Sequence, residues 1–215
     1  MFYFSLMLAA LISCKENDDN PNDDLQVVYD FLPMQTGNYW VYGHYKIDTL
    51  GNVFDEERAD SVVITGDTLV NGKQYYVFEG TNYPYLAVWG IIDLLRDSSG
   101  YIVNDRGIIR FTDGNFDDIL ASKTEVISGD TIYTVEYRMK NPDSVITVPA
   151  GSFGVLNYCG TVETPQDIPG IANPRYMNNY YADEVGRVVE TYFYLNNPNI
   201  YEKRLLRYKA EKSGF

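Results

Sequence analysis

The sequence predicts a mainly β protein built on one antiparallel sheet, a sandwich or a barrel, of roughly 10–13 strands with little helix. Two observations lead to this prediction. Tyrosine is unusually frequent, with 20 in 215 residues, and most tyrosines lie in short runs with Val, Ile and Thr, which favour strands. These runs are separated at short intervals by Gly, Asn, Asp and Pro, which favour turns.

The chain begins with a short apolar run, residues 1–12, which is followed by the small residue Ser13 and by Cys14. Residues 15–24 (KENDDNPNDD) then contain no hydrophobic residue. An apolar segment of about a dozen residues is too short to cross a ~30 Å hydrocarbon core and has the length of a signal-peptide core. Residues 11–14 (LISC) resemble the lipobox of bacterial lipoproteins, which implies cleavage before Cys14 and acylation of its thiol and amino group.

Residues 15–19 (KENDD) resemble the charged export signals that follow the cysteine in Bacteroidota lipoproteins. That resemblance implies lipid anchoring at the outer membrane, with the periplasmic or cell-surface leaflet left open. A solvated linker is the alternative, because low hydrophobicity and high charge also produce one. The predicted organisation is a signal peptide over 1–13, the lipidated cysteine and acidic linker over 14–30, and one antiparallel β domain over 31–215.

The net charge of −13 argues against nucleic acid and against electrostatic docking on anionic lipid, since both need an excess of Lys and Arg. The membrane partner is therefore expected through the lipid anchor alone. The chain has two cysteines. If Cys14 is acylated, Cys159 has no intramolecular partner, and we expect it to be a small buried hydrophobic residue.

The first strand is predicted over residues 38–47, where large side chains occupy both alternating faces. We therefore expect this strand to be covered on both sides. Residues 48–52 (DTLGN) favour a turn. The next strand is predicted over residues 59–64, ending at Gly66 and Asp67.

Asn71-Gly72 is the clearest turn signal, because both residues tolerate positive φ and a type I′ turn matches the twist of a hairpin. A second hairpin is predicted around residues 98–100 (SSG). Residues 116–123 are the one segment that favours a short helix, and Asn115 is placed to cap it.

Two similar segments, 63–69 (VITGDTL) and 126–132 (VISGDTI), indicate that one type of hairpin is used twice. Two copies are fewer than the three that a solenoid needs. The longest loop is predicted over residues 164–179, where three prolines occur. The remaining strands are predicted at 131–140, 144–148, 153–163, 179–182, 187–195 and 200–209.

Three segments resemble motifs of secreted and lipid-anchored bacterial proteins of mostly unknown function, which include TapB-like and DUF3108-like proteins. Residues 37–42 (GNYWVY) are similar to their opening strand G-N-x-W-x-Y. Residues 148–153 (VPAGSF) are similar to their turn V-P-A-G-T-F, and residues 180–188 (YYADEVGRV) to their hairpin Y-Y-A-P-G-V-G-L-V. The pattern covers about residues 31–209, and Arg187 stands where these proteins have an apolar residue.

The resemblance implies a LolA/LolB type of fold, a strongly curved antiparallel half-barrel whose concave side can hold a hydrophobic ligand. It implies no defined reaction. Physically the motifs are structural, because Pro149 restricts φ and Gly151 permits conformations that a Cβ forbids, which favours a turn. Gly186 likewise indicates a turn or a bulge.

Asp113, Asn115 and Asp117 place oxygen atoms at the first, third and fifth positions of a segment like a calcium loop. The loop's later Gly and Glu are absent, so a solvated turn is the simpler interpretation. His44 is the only histidine, which excludes His-rich zinc sites and H-E-x-x-H proteases. We interpret it as a satisfied or exposed strand histidine, because no G-x-S-x-G nucleophile accompanies it. No cofactor is expected.

Aromatic side chains near two loops are the stronger candidates for ligand contact. Aromatic faces at a rim can stack on sugars or close over an apolar ligand, and packing on the sheet is the alternative for each residue. The candidates flank Pro84 and the long loop: Tyr83, Tyr85, Trp89, Tyr176, Tyr180 and Tyr181.

The sequence therefore predicts a lipid-anchored, non-enzymatic cell-envelope protein that binds an apolar ligand or a protein partner in or around a β half-barrel. A cell-surface glycan-binding accessory protein is the alternative. A hydrolase is a third hypothesis, which needs two carboxylates beside one cleft. Glu56-Glu57 and Asp183-Glu184 are the carboxylate pairs that the sequence offers.

Overall fold

The structure, a computed structural model, describes residues 31–212 apart from the side chains of residues 142 and 143. This part of the chain forms a single twelve-stranded antiparallel sheet, nearly closed into a barrel and with almost no helix, which confirms the predicted fold class. The predicted signal peptide, Cys14 and the acidic linker lie outside the described residues. The strands are β1 (Tyr39–Ile47), β2 (Val53–Val70), β3 (Lys73–Asn82), β4 (Leu86–Asp97), β5 (Ile102–Asn104), β6 (Ile109–Phe111), β7 (Ala121–Ile127), β8 (Asp130–Val148), β9 (Gly151–Glu163), β10 (Arg175–Ala182), β11 (Gly186–Tyr192) and β12 (Ile200–Lys209).

The order of the strands makes the sheet an almost complete ring. It runs β6-β5-β4-β3-β2-β1-β12-β11-β10-β9-β8-β7, so strands that are consecutive in the chain are neighbours and β12 closes onto β1. Among the described residues, β6 and β7 are the one consecutive pair without hydrogen bonds between them. We name this gap between β6 and β7 the seam, and residues 112–120 connect its two sides.

Side chains from β9 and β10, on the other side of the seam, hold the edge strand β6 in place. The Tyr158 hydroxyl on β9 donates a hydrogen bond to the Ile109 carbonyl oxygen, 2.7 Å away. The Phe111 side chain is fully buried, and its ring centroid lies 4.6 Å from that of Tyr181 on β10. Burying a phenylalanine stabilises a fold by roughly 1.5–3 kcal/mol. The short strand β6 is therefore attached by side chains as well as by its pairing with β5.

The turn residues predicted for the hairpins lie where the structure needs positive φ. Asn71 and Gly72 join β2 to β3 with φ angles of 51° and 75°, as a type I′ turn requires. Ser99 and Gly100 join β4 to β5 with φ angles of 55° and 82°. Local turn chemistry therefore determines these two hairpins.

The predicted end of the second strand at Gly66 and Asp67 is wrong, because β2 continues to Val70. Its register with β3 shifts between Ile64 and Gly66, so the chain accommodates one extra residue as a bulge without leaving the sheet. The similar segment 126–132 instead forms the β7–β8 hairpin. The prediction that one hairpin type is used twice is therefore wrong as well.

The predicted helix over residues 116–123 is also wrong, since β7 begins at Ala121 and the residues before it are irregular. Asn115 Oδ1 does accept a hydrogen bond from the Asp118 amide at 3.1 Å, as a helix cap would. The Leu120 amide, however, donates to the Tyr137 carbonyl oxygen at 2.8 Å and leads the chain into pairing with β8. Pairing with a distant strand overrides the local preference.

Two further boundaries differ from the prediction. β8 runs from Asp130 to Val148 as one strand where two were predicted, and its register with β9 shifts between Lys140 and Ser144. β10 begins at Arg175, so the long loop ends before it and not at residue 179. Bulges and added pairing explain both differences, because they extend strands through residues that locally favour turns.

The hydrophobic core lies inside the ring of strands. Its most buried large side chains include Trp40, Ile64, Phe111 and Leu205, each at most 2% exposed. Within residues 31–212, no helix is both long enough and apolar enough to span a bilayer. All twelve strands and this core belong to the described range, so it contains a complete sheet with its own interior.

Candidate ligand-binding site

The interior of the barrel contains a cavity of about 620 Å³ that is partly open to solvent. Small-molecule sites in proteins typically measure about 300–1,000 Å³ and combine apolar walls with a few polar groups. Strands from all around the sheet contribute to this cavity. Its apolar and aromatic lining comprises Leu32, Trp40, Tyr42, Val62, Phe78, Tyr85, Ile92, Leu95, Tyr137, Tyr158, Met177 and Tyr181.

Strand alternation and hydrogen bonds determine the orientation of the aromatic rings that line the cavity. Trp40 and Tyr42 are two residues apart on β1, so both face the interior. Trp40 Nε1 donates to the Val185 carbonyl oxygen at 2.6 Å, and the Tyr42 hydroxyl donates to the Arg187 carbonyl oxygen at 2.9 Å. Burial raises the pKa of Tyr42 well above its ordinary value. This part of the wall is therefore preorganised, because the polar tips of Trp40 and Tyr42 are already bonded to the backbone.

A row of polar side chains lies along the inner face of five neighbouring strands. Directly opposite residues on antiparallel strands have side chains on the same face. The register places five such residues side by side on β1, β12, β11, β10 and β9, and we name them the polar row: His44, Lys203, Glu190, Asn179 and Tyr158. Its last member bonds Ile109 across the seam, so polar contacts extend around most of the interior.

Ion pairs balance the charges of the polar row. Glu190 Oε2 lies 3.1 Å from Arg187 Nη2 and 3.5 Å from Lys203 Nζ. Lys203 is 2% exposed, lies 3.6 Å from Asp60 Oδ2 and donates a short hydrogen bond to Asn82 Oδ1. Burial opposes ionisation of Glu190, yet the cations Arg187 and Lys203 hold its pKa below the ordinary value. Burial lowers the pKa of Lys203.

His44 lies at one end of the polar row and is fully buried. Its Nε2 lies 2.9 Å from Asp60 Oδ2, and its Nδ1 has no hydrogen-bond partner within residues 31–212. Burial opposes ionisation of Asp60, but hydrogen bonds from His44 and Thr81 and the charge of Lys203 lower its pKa. His44 does not line the cavity, so it is not placed to exchange a proton with a molecule bound there.

Three further cations lie along the two sides of the seam. Arg106 is in the β5–β6 connection, Arg110 is in β6 and Lys123 is in β7, and all three line the cavity. Arg110 Nη2 lies 3.0 Å from Asp93 Oδ2, whereas its buried Nε has no acceptor among the residues that the structure describes. Lys123 pairs with Glu125 at 2.7 Å. Burial raises the pKa of Asp93 despite the opposing charge of Arg110.

The structure separates the six aromatic residues predicted to contact a ligand. Tyr85 and Tyr181 line the cavity. The Tyr83 ring lies under Arg58, whose guanidinium carbon is 3.7 Å from the ring centroid. Trp89 on β4 and Tyr176 on β10 are exposed. Tyr180 lines a smaller groove of about 280 Å³, on the opposite face of the sheet from Tyr181. Ligand stacking by these residues stays a prediction.

The structure also places the other candidate groups. Asn115 of the calcium-like segment bonds Asp118 and the Tyr101 hydroxyl through its side chain, and the Asp117 carbonyl oxygen accepts from Arg138. Within residues 31–212, no group of three or more His, Cys, Asp and Glu side chains could hold a metal ion. Cys159 is a buried free thiol, as expected, and burial raises its pKa. The carboxylate pairs at 56–57 and 183–184 do not line the cavity.

Sequence reasoning did not single out the cavity's charged residues for function. A signal for them is present, since Asp93, Arg110 and Glu190 each interrupt an apolar strand: 91–95 (IIDLL), 108–111 (IIRF) and 188–190 (VVE). A charged residue within an apolar run is expected to be buried in the protein interior, where it needs a partner of opposite charge. The partners lie on other strands, so the sequence does not identify them.

The sequence of this chain matches no family model and no curated protein. Two solved structures are similar to this chain over most of its length. A candidate lipoprotein from Parabacteroides distasonis has 15% identity and a TM-score of 0.46, covering 83% of this chain and 98% of its own. A candidate exported protein with a YmcC-like fold from Bacteroides fragilis has 14% identity and a TM-score of 0.43, covering 82% and 97%.

Proposed function

We propose that this chain is a lipid-anchored, non-enzymatic cell-envelope protein that binds an apolar or amphipathic small molecule inside its barrel. The observation that carries the proposal is the cavity of about 620 Å³, in which the polar tips of the lining residues Trp40 and Tyr42 are already bonded to the backbone. A preformed cavity of this kind binds a ligand without the cost of ordering its side chains. The function is therefore assigned to the interior of the sheet.

The anchor is the second part of the proposal and rests on residues 11–14 and the polar stretch after them. Acyl chains contribute about 0.8 kcal/mol for each buried methylene, so more than one chain anchors a protein stably. Cys14→Ser should move the protein from the membrane fraction to the soluble fraction of expressing cells and abolish labelling by radioactive palmitate. Cys159→Ser is the matched control. Membrane retention of the Cys14→Ser protein would refute the anchor.

Native mass spectrometry of a soluble form, residues 26–215, tests the cavity. After incubation with a bacterial lipid extract, we expect a bound mass that disappears on denaturation. Met177→Trp should lower the bound fraction, because Met177 lines the cavity, whereas Tyr176→Trp on the outer face should leave it unchanged. A protein that takes up no lipid mass would overturn ligand binding in the barrel.

Glycan binding is retained as a second candidate because of a tyrosine cluster beside the cavity. Tyr192 stacks on Tyr201 with centroids 5.3 Å apart, and Tyr194 meets Tyr201 edge-on at 5.5 Å. Tyr85, which is 65% exposed, lies 6.4 Å from Tyr192. Exposed aromatic faces suit stacking on sugar rings. Retarded migration in affinity gels containing a polysaccharide, lost on Tyr85→Ala, would favour this candidate.

A further inference from the structure

The sign of the charge in the cavity is opposite to that of the chain. The whole sequence has 30 acidic against 17 basic residues. The cavity lining has four cations, Arg106, Arg110, Lys123 and Arg187, and two carboxylates, Asp93 and Glu190. An acidic protein that concentrates cations around a partly enclosed space attracts anions to that space, because the low-dielectric walls focus the field.

The four cations are not equally available to a ligand. Arg187 is committed to Glu190 at 3.1 Å, and Lys123 to Glu125 at 2.7 Å. Arg106 has no hydrogen-bond or ion-pair partner for its guanidinium among residues 31–212. Arg110 uses one nitrogen for Asp93, and its buried Nε has no acceptor in the described part of the chain. The unused donors therefore belong to Arg106 and Arg110, which lie four residues apart on the β5–β6 hairpin at the seam.

The apolar walls of the same cavity suit the rest of the ligand. Trp40, Val62, Phe78 and Leu95 from β1–β4 line it together with Leu32. Guanidinium groups form two parallel hydrogen bonds with carboxylates and phosphates, which makes Arg suited to such head groups. An anionic head at the seam and an apolar tail along these strands would use both parts of the lining.

We propose that the ligand is an anionic amphiphile, whose carboxylate or phosphate head is bound by Arg106 and Arg110 at the seam and whose tail fills the barrel. This inference rests on the proposed function, because it names the ligand class of the same cavity. Asp93 competes for Arg110 and limits the affinity for the head group. The side chain of Asp93 is therefore a specificity determinant of the site.

Calorimetric titration of the 26–215 form with decanoate, decyl phosphate and decanol tests the proposal, since the three probes share one tail. At least one anion should bind about tenfold more tightly than decanol, the ratio that one charge-assisted hydrogen bond supplies. Arg106→Gln and Arg110→Gln should each remove most of that preference and leave decanol binding unchanged. Arg207→Gln, an exposed arginine that does not line the cavity, is the control.

Asp93→Asn should tighten binding of the anions. Misfolding would weaken binding, so it cannot produce this result. A preference for decanoate alone identifies a carboxylate head, and one for decyl phosphate alone identifies a phosphate head. Equal binding of all three probes would overturn the anionic head and leave the proposed apolar cavity intact. Binding of none would overturn the proposed function itself.

Discussion

At the scale of single residues, the interior is determined by buried charges that compensate each other. Lys203 faces Glu190 across paired strands and lies close to Asp60, and it is 2% exposed. Taking such ions out of water is costly, and removing one partner leaves the other buried and uncompensated. Replacing both partners of an ion pair in the polar row should therefore lower the free energy of unfolding less than replacing one partner alone.

Lys203→Met should lower the free energy of unfolding by about 3–5 kcal/mol, because Asp60 and Glu190 lose their shared cation. Urea denaturation followed by tryptophan fluorescence measures the change. Lys209→Met is the matched control, since Lys209 is half exposed and pairs with an exposed Glu211, and should change stability by at most about 1 kcal/mol. Similar small losses in both variants would contradict the role assigned to Lys203.

The lowered pKa of Glu190 predicts the pH dependence of stability. Its folded pKa lies below its unfolded value, so the unfolded chain binds more protons and stability falls as the pH falls. The loss begins near the ordinary glutamate pKa of about 4.3 and continues until the lowered pKa is passed. Glu190→Gln should therefore show a flatter dependence of unfolding free energy on pH between about 5 and 3. An unchanged slope in denaturation series would refute the shift.

At the scale of elements, turns set the strand ends and bulges set the register. The β10–β11 hairpin shows how a turn residue also serves the core. Gly186 has a φ of 98°, and a Cβ at this position would lie 3.0 Å from Trp40 Nε1. Trp40 Nε1 in turn donates to the carbonyl oxygen of Val185 in the same turn. The glycine is thus required both by the backbone and by the ring packed against it.

Gly186→Ala should destabilise the protein by about 1–3 kcal/mol, because a non-glycine residue at positive φ is strained and the new Cβ displaces Trp40. Thermal unfolding measures the loss, and a shift of the tryptophan emission reports the displaced indole. Gly154→Ala in β9 is the matched control, since within residues 31–212 no atom beyond the two adjacent residues lies within 4 Å of its Cβ position. Equal stability of the two variants would argue against the strain.

At the scale of the whole molecule, closure of the ring creates the cavity. The long-range pairing of β1 with β12 joins the two halves of the chain. Within residues 31–212, no backbone pairing joins β6 to β7 across the seam. The Tyr158 hydroxyl spans the interior to the Ile109 carbonyl oxygen. The two sides of the seam are therefore held together by side chains, and the seam is the place where the wall can open with the least loss of hydrogen bonds.

Tyr158→Phe should lower the free energy of unfolding by about 1 kcal/mol and leave the Ile109 carbonyl oxygen unbonded. Amide hydrogen exchange measured by mass spectrometry should accelerate in β6 more than in β1 or β12. Tyr133→Phe is the control, because the exposed Tyr133 hydroxyl contacts Lys123 only at 3.5 Å. Unchanged exchange in β6 would show that the hydroxyl does not hold the seam.

The sequence predicts the local parts of this fold well. Asn71-Gly72 determines a turn by its own φ preferences, and alternating tyrosine and β-branched residues determine strands. Residues 116–123 and Gly66 are predicted wrongly because the outcome depends on a partner strand, β8 in one case and β3 in the other. Local propensity is weak beside a complete ladder of hydrogen bonds.

The sequence by itself determined a mainly β chain, the turns at Asn71-Gly72 and Ser99-Gly100 and the buried state of Cys159. Only the tertiary structure decided that β12 closes onto β1 and that His44, Lys203 and Glu190 lie in one row. It also decided that Arg106 and Arg110 line the same cavity as Trp40 and Tyr181. The physical reason is that turns depend on the backbone preferences of adjacent residues, whereas a cavity depends on strands far apart in the chain. Charge partners such as Asp93 and Arg110 become visible only when those strands are paired around one interior.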